Sequence, residues 1–252
     1  MTSFSKYLSK TNQLNKGLAG LSVLKHGRIY KEWQRQLKSG KFPLDLELPW
    51  ITIVAKNYIQ NYLKKKNKTD VKIFEFGSGG SSLFFLKYAD EVISAEHDPE
   101  WYGLVKDTIC KKNIKGWKGF LQKPEKIEVG LEYIPDAANP LHYSTNSESY
   151  NEYLFRNYAT CIDQFADNYF DIVLVDGRSR PSCLYHSINK VKKGGLLVLD
   201  NAERSYYLSH HIIDSNEFDL KLSVNGALIC YDQFTQTNIY QKKMKKLPLS
   251  LY

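Results

Sequence analysis

From residue 71 onward the chain alternates short apolar runs with stretches of helical periodicity, and that alternation carries most of the fold. Apolar runs predict strands over 71–76, 92–96, 126–133, 170–175 and 195–199. Helical patterns lie between them, over about 81–89, 99–112, 147–166 and 181–192. The runs Phe170-Asp171-Ile172-Val173-Leu174-Val175 and Gly195-Leu196-Leu197-Val198-Leu199 are continuous, as in strands covered by helices on both faces. Regular strand–helix alternation indicates an α/β protein with a parallel, doubly wound sheet. Two strand-like runs close the chain, 219–231 and 235–241, with no helical pattern between them; they predict an antiparallel pair at one edge.

Upstream, Ile51, Val54, Ala55, Tyr58, Ile59 and Tyr62 recur at helical spacing, and Pro49 suits the start of that helix. Residues 1–48 lack a clean period. Within them Leu18–Leu21 and Trp33–Leu37 read as short helices, and Phe42-Pro43-Leu44 as a linker. The chain therefore divides into a helical N-terminal extension, 1–48, and an α/β domain, 49–252. A loop rich in turn residues, Pro135 to Ser149, interrupts the second part; a loop of that length in a compact domain is usually functional or mobile.

Composition sharpens this only slightly. At 252 residues with 42% hydrophobic positions, the chain has enough apolar surface for a substantial core. No apolar run approaches the ~18 residues of a membrane span. The first residues are polar, without the apolar stretch of a secretory leader. The four cysteines, Cys110, Cys161, Cys183 and Cys230, are widely spaced and include no C-x-x-C pair. That suggests neither a disulfide frame nor a zinc site, and fits a reducing cytoplasm. The net charge of +8 raises the question of an anionic partner. Its lysines cluster at Lys64–Lys66, Lys111–Lys112 and Lys242–Lys246, however, and the first two groups stand at predicted helix ends, where cations complement the helix dipole. Nothing in the pattern fixes an oligomeric state, and a homodimer is compatible with it.

The chemistry starts at Ile73-Phe74-Glu75-Phe76-Gly77-Ser78-Gly79-Gly80-Ser81-Ser82, a strand running into a glycine turn and a helix. In an open parallel sheet, ligands bind beyond the carboxyl ends of the strands. Glycine there allows positive φ and close approach of a ligand; a tight strand–helix turn needs glycine too. Two details separate the turn from a dinucleotide site. Glu75 precedes it, where a carboxylate would repel a pyrophosphate but suits a ligand with a cationic amino group. Ser82 occupies the position of the third glycine in G-x-G-x-x-G. Glu96, at the end of the second strand, can accept both hydroxyls of a ribose.

These residues resemble the class I S-adenosylmethionine-dependent methyltransferases. Glu75-Phe76-Gly77-Ser78-Gly79 is similar to their E/D-x-G-x-G motif, over a resemblance that spans roughly residues 49–241. It implies a Rossmann-like sheet of seven strands in the order 3-2-1-4-5-7-6, the last strand antiparallel, with S-adenosyl-L-methionine as cofactor. Gly77, Ser78, Gly79 and Ser81 would pack against the methionine part, Glu75 would order the loop and the amino group mostly from behind rather than by contact, Glu96 would hold the ribose, and His97 would lie beside the adenine. The residue that reads the adenine is left open, with candidates near Leu131-Glu132-Tyr133. The runs Glu96–Tyr102, Val175–Arg180 and Leu199–Arg204 narrow the resemblance to bacterial members associated with polysaccharide or secondary-metabolite pathways.

Asp176, Asp200 and Asn201 follow the fourth and fifth strands, on the same sheet edge as Gly77. This set resembles that of cation-dependent, catechol-type O-methyltransferases, and three hard oxygen ligands suit Mg²⁺. A strand-end Asp also commonly caps the following turn. The family's lysine base is replaced by Ser179, leaving either His142 of the long loop as the base beside Asp176, or the metal alone. Arg178 and Arg180 could grip an anionic acceptor, and Trp50 and Tyr143 could line its pocket. The expected reaction is O-methylation of a small-molecule or glycan hydroxyl, with residues 1–48 as an acceptor-side cap. Nucleic acid is disfavoured as acceptor, since Asp176-Gly177-Arg178 stands where base methylation uses an Asn/Asp-Pro-Pro-aromatic turn. A non-catalytic nucleoside-binding module remains the alternative from another class.

Overall fold

A computed structural model describes residues 27–127 and 135–244. Helix α1 (Gly27–Ser39) and a single turn, α2 (Pro43–Leu46), precede α3 (Ile53–Leu63). The core alternates as β1 (Lys72–Phe76), α4 (Gly80–Leu86), β2 (Glu91–Glu96), α5 (Pro99–Lys111) and β3 (Trp117–Leu121). A small antiparallel pair, β4 (Glu125–Lys126) and β5 (Tyr153–Leu154), flanks the long loop. Then come α6 (Arg156–Thr160), β6 (Phe170–Val175), α7 (Arg180–Ser187), β7 (Val191–Leu199), β8 (Phe218–Ala227) and β9 (Phe234–Lys242). The main sheet has seven strands in the order β3-β2-β1-β6-β7-β9-β8. Renumbered within the sheet, that is the expected 3-2-1-4-5-7-6. The first five strands are parallel, and β9 runs antiparallel to both of its neighbours.

Strand side chains alternate between two cores. Phe74, Phe76, Val173, Val175, Leu197 and Leu199 face α6 and α7 through Tyr158, Cys183 and Leu184. Ile73, Val92, Ile172, Leu174, Leu196 and Val198 face α3, α4 and α5. A third cluster, Trp33, Ile53, Ala227, Ile229 and Phe234, seats α1 on the closing hairpin. No helix among the described residues is long and apolar enough to cross a membrane.

Local chemistry explains the element ends. Thr52 caps α3, its side chain accepting from Ala55 N, and Asp98 caps α5 by accepting from the amides of Glu100 and Trp101, with Pro99 in the first turn. Segment α2 presses on the start of α4: a Cβ on Gly80 would lie 2.2 Å from the Leu48 carbonyl oxygen and 2.4 Å from that of Pro43.

Three sequence expectations are corrected. The third strand is Trp117–Leu121, not 126–133; residues 128–134 lie outside the described residues. An edge strand buries one side at most, and β3 lacks the apolar run that marked its neighbours. The helix over 147–166 is replaced by short turns, β5 and α6, because Tyr153 and Leu154 pair with β4. Pro43, read as part of a linker, starts the turn α2, where Phe42 N donates to Asp45 Oδ2 at 3.1 Å. The helix around Trp33 is present as α1, while Leu18–Leu21 lie outside the described residues.

Candidate functional site

The carboxyl ends of β1, β2, β6 and β7 meet at one sheet edge, and two cavities open there. The first, about 710 Å³, lies over the glycine turn, with Gly77, Ser78, Gly79, Ser81, Glu96 and His97 in its wall. The second, about 830 Å³, lies over the ends of β6 and β7, with Asp200, Asn201, Glu203, Arg204 and Tyr206 in its wall. Both volumes suit a ligand of nucleoside or drug size. Asp176, Gly177, Arg178, Arg180, Trp50 and Tyr231 line both.

The turn is built to leave space. Gly77 has φ +96 and Gly79 φ +154, conformations that side chains rarely adopt. The Trp101 ring covers the turn, its Nε1 donating to Ser78 O at 2.7 Å. Beneath lies Glu75, fully buried and lining neither cavity. Its Oε1 accepts from Ser94 Oγ at 2.6 Å and from Ser82 Oγ. Ser82 Oγ in turn accepts from Gly79 N at 3.1 Å, and Ser94 Oγ from Trp117 Nε1 at 2.9 Å. Glu75 thus holds the turn from beneath. Burial pushes its carboxyl up to about 7.

Glu96 is also buried, but it reaches the first cavity. Its Oε2 accepts from Ser78 N and Ser78 Oγ, both at 3.0 Å, and its Oε1 from the amides of His97 at 2.8 Å and Asp98 at 3.0 Å. Burial alone would raise its pKa; donors from His97, Asp98 and Ser78 outweigh that and hold it below the usual carboxylate value. His97 packs edge-on against Tyr150 and Phe155, its Nδ1 2.8 Å from Glu96 Oε1.

At the junction of the cavities stands Arg180, 7% exposed. Its Nη2 donates to Asp176 Oδ1 at 3.1 Å, its Nη1 to Asn201 Oδ1 at 2.9 Å and to the Asp200 carbonyl, and its Nε to Gly177 O at 3.0 Å. Asp200 Oδ1 accepts from Thr237 Oγ1 at 2.6 Å. Burial pushes Asp200 up to about 6. Burial first, and the neighbouring Asp200 second, raise Asp176 well above its ordinary value. Ser179 and Asn201 flank this junction in left-handed backbone, φ +45 and +50.

This arrangement does not support the Mg²⁺ expectation. Asp176 and Asn201 do converge with the end of β7, but Asp176 Oδ1 and Asn201 Oδ1 already accept from one guanidinium, and a divalent ion on them would lie against that cation. The residues do not fit a hard metal ion. Arg180 likewise is a fixed part of the framework, not a free clamp. Arg178 is more accessible, its guanidinium 5.1 Å from the Tyr150 ring centroid and its Nε 3.5 Å from His97 Nε2.

Two expected residues are not brought into the site. His142 lines neither cavity; its Nδ1 accepts from Asp136 N at 3.0 Å, and its Nε2 lies 3.1 Å from Asn139 Nδ2. Tyr143 lines neither cavity either, and stacks instead on His186 with centroids 5.9 Å apart. Their loop does reach the second cavity, through Ala137, Ser144 and Thr145. Trp50 lines both cavities, stacked on Tyr231 at 4.5 Å and 17°. The sequence reading missed Trp101 and Tyr231 as cavity residues. Trp101 had a signal, an aromatic two residues after a Pro-started helix facing the glycine turn. Leu131–Tyr133, named for the adenine, fall outside the described residues.

No protein-family model matches the sequence, and no curated protein matches it. Solved structures do. A candidate O-methyltransferase from Klebsiella pneumoniae superposes with TM-score 0.54 at 9% identity, over 92% of this chain and 100% of that one. An O-methyltransferase from Bacillus cereus, in complex with S-adenosylhomocysteine, gives 0.52 at 10% identity over 91% and 100%. A candidate methyltransferase from Streptococcus mutans, also with S-adenosylhomocysteine, gives 0.50 at 8% identity over 74% and 96%. At such identities the likeness is one of fold: this chain has the Rossmann-like fold of these methyltransferases.

Proposed function

We propose that the chain is an S-adenosylmethionine-dependent methyltransferase acting on a hydroxyl of a small molecule or glycan. The observation that carries this reading is the shared wall: Asp176 lies at once on the cavity over the glycine turn and on the cavity beside it. The cofactor belongs in the first cavity and supplies an electrophilic methyl group. Gly77 and Gly79 leave room for it, and a Cβ at Gly77 would come 3.5 Å from Asp176 O, so turn and acid are neighbours. Glu96 faces the ribose hydroxyls, two of which can join or replace the Ser78 donors on its Oε2.

The second cavity takes the acceptor. Asp176 Oδ2, on the wall shared by both cavities, would accept the proton that the acceptor hydroxyl gives up on methylation and pass it to water. Trp50 and Tyr231 form an aromatic wall common to both cavities, and Trp33 of α1 holds Tyr231 in place through its carbonyl. Alignment and exclusion of water are the main catalytic contributions. Calorimetric titration tests the reading: S-adenosylmethionine and S-adenosylhomocysteine should each bind at one site per chain. Absence of heat at millimolar cofactor overturns it.

A further inference from the structure

A guanidinium carries five N–H donors and no acceptor. On Arg180 four are matched: Nε to Gly177 O, two on Nη1 to Asp200 O and Asn201 Oδ1, and one on Nη2 to Asp176 Oδ1. Among the described residues nothing accepts from the fifth, on Nη2. The side chain is 7% exposed, and what it exposes belongs to the walls of both cavities. A buried charged donor left without a partner calls for one, and the open space beside it is where an acceptor oxygen must stand to be near Asp176. Arg180 also joins three things that a divalent cation would otherwise have to organise: the Asp176 carboxylate, the Asn201 side chain and the carboxyl end of β7. The Tyr207 ring, 5.4 Å from the guanidinium carbon, backs it.

We infer that Arg180 is the built-in cation of the acceptor site, standing in place of a metal ion, and that its remaining N–H contacts the acceptor oxygen. The contact with an acceptor oxygen rests on the methyl-transfer reading; the exclusion of a metal does not. A donor fixed on an oxygen that gains negative charge stabilises it most as the charge develops. The proposal is consistent with the one departure the sequence showed, a serine at 179 where the cation-dependent enzymes it resembles carry a lysine.

The test is manganese binding to the full chain followed by electron paramagnetic resonance, with cofactor-product release measured in parallel. The unsubstituted chain should bind no manganese at the junction, and chelator should leave its turnover unchanged. Arg180→Ala should create a manganese site that Asp176→Asn in the same chain abolishes. It should also lower kcat by ~100-fold, with part of the loss recovered on adding a soluble guanidinium compound and none on adding ammonium. Arg180→Lys, which keeps the charge and is less disruptive to the fold, should still exclude manganese but lose the forked contacts and with them most of kcat. Manganese bound by the unsubstituted chain and lost in Asp176→Asn overturns the proposal, as does turnover that chelator removes and Mg²⁺ restores. If the cofactor fails to bind, the methyl-transfer reading falls while the manganese measurement still decides whether Arg180 holds the metal's place.

Discussion

Glu75 shows how one side chain can be conspicuous in sequence and act out of sight. It precedes the glycine turn, where it was expected to order the loop mostly from behind; it is buried under Ser82 and Ser94 and shapes the turn from below. A carboxyl raised from 4.5 to about 7 binds its proton more tightly in the folded chain than in the unfolded one. Its contribution to stability is therefore complete below about pH 4.5 and is lost as pH rises through 7, a span worth roughly 3 kcal/mol. Glu75→Gln cannot ionise. Urea unfolding at pH 5.5 and 8.5 should show a smaller fall in stability for the variant than for the parent. Equal falls would mean that Glu75 is ionised throughout. Residue types were legible at this scale, because Glu75, Glu96, Asp176 and Asp200 each stand at a strand end. Which of them faces a ligand was not, since that depends on hydrogen bonds from Ser78, Ser94 and Arg180 that come from other elements.

At the scale of elements, the strands that sit between helix layers were the readable ones: β1, β2, β6 and β7 each contain a short apolar run. The edge strand β3 and the broken segment 147–166 were not, because the first is half exposed and the second is set by pairing with β4. The N-terminal extension, read as an acceptor-side cap, contributes α1, whose packing the sequence did not specify. Trp33 is fully buried, edge-on to Phe234 at 5.2 Å, and its Nε1 donates to Tyr231 O at 2.8 Å. That bond ties α1 to the residue whose ring stacks on Trp50 across both cavities. Trp33→Ala should cost ~3–5 kcal/mol by urea unfolding. Trp33→Phe keeps a ring but loses the donor, and should cost ~1 kcal/mol beyond its lost volume while weakening ligand binding through Tyr231. Unchanged cofactor and acceptor affinity in a folded Trp33→Phe chain would separate α1 from the site.

The distribution of charge over the whole molecule argues about the acceptor. Parallel strands give the sheet two unlike edges, and the lysines gather at the one away from the cavities. Asp171, near the start of β6, takes Lys66 at 2.8 Å and Lys192 at 2.7 Å. Glu91, at the start of β2, takes Lys118, and Lys72 at the start of β1 donates to Tyr169. Glu47 takes Lys87 and Lys112 beside the helix ends. These are mostly surface pairs of small energetic value, and with five lysines on three carboxylates they leave positive charge at this edge rather than at the cavities. The acceptor cavity, by contrast, mixes Arg178, Arg180 and Arg204 with Asp176, Asp200, Glu203 and Asp232. A groove that tracks a phosphate backbone is basic throughout, with aromatic faces for the bases. A wall of both signs would repel phosphates at as many points as it attracts them, and it suits a neutral, hydroxyl-bearing molecule better. Fluorescence anisotropy with single-stranded RNA and duplex DNA should therefore show weak binding that varies little with ionic strength. A slope of log K against log salt of about −5 or steeper would report six or so neutralised phosphates, and would turn the acceptor assignment from small hydroxyl compounds to nucleic acid.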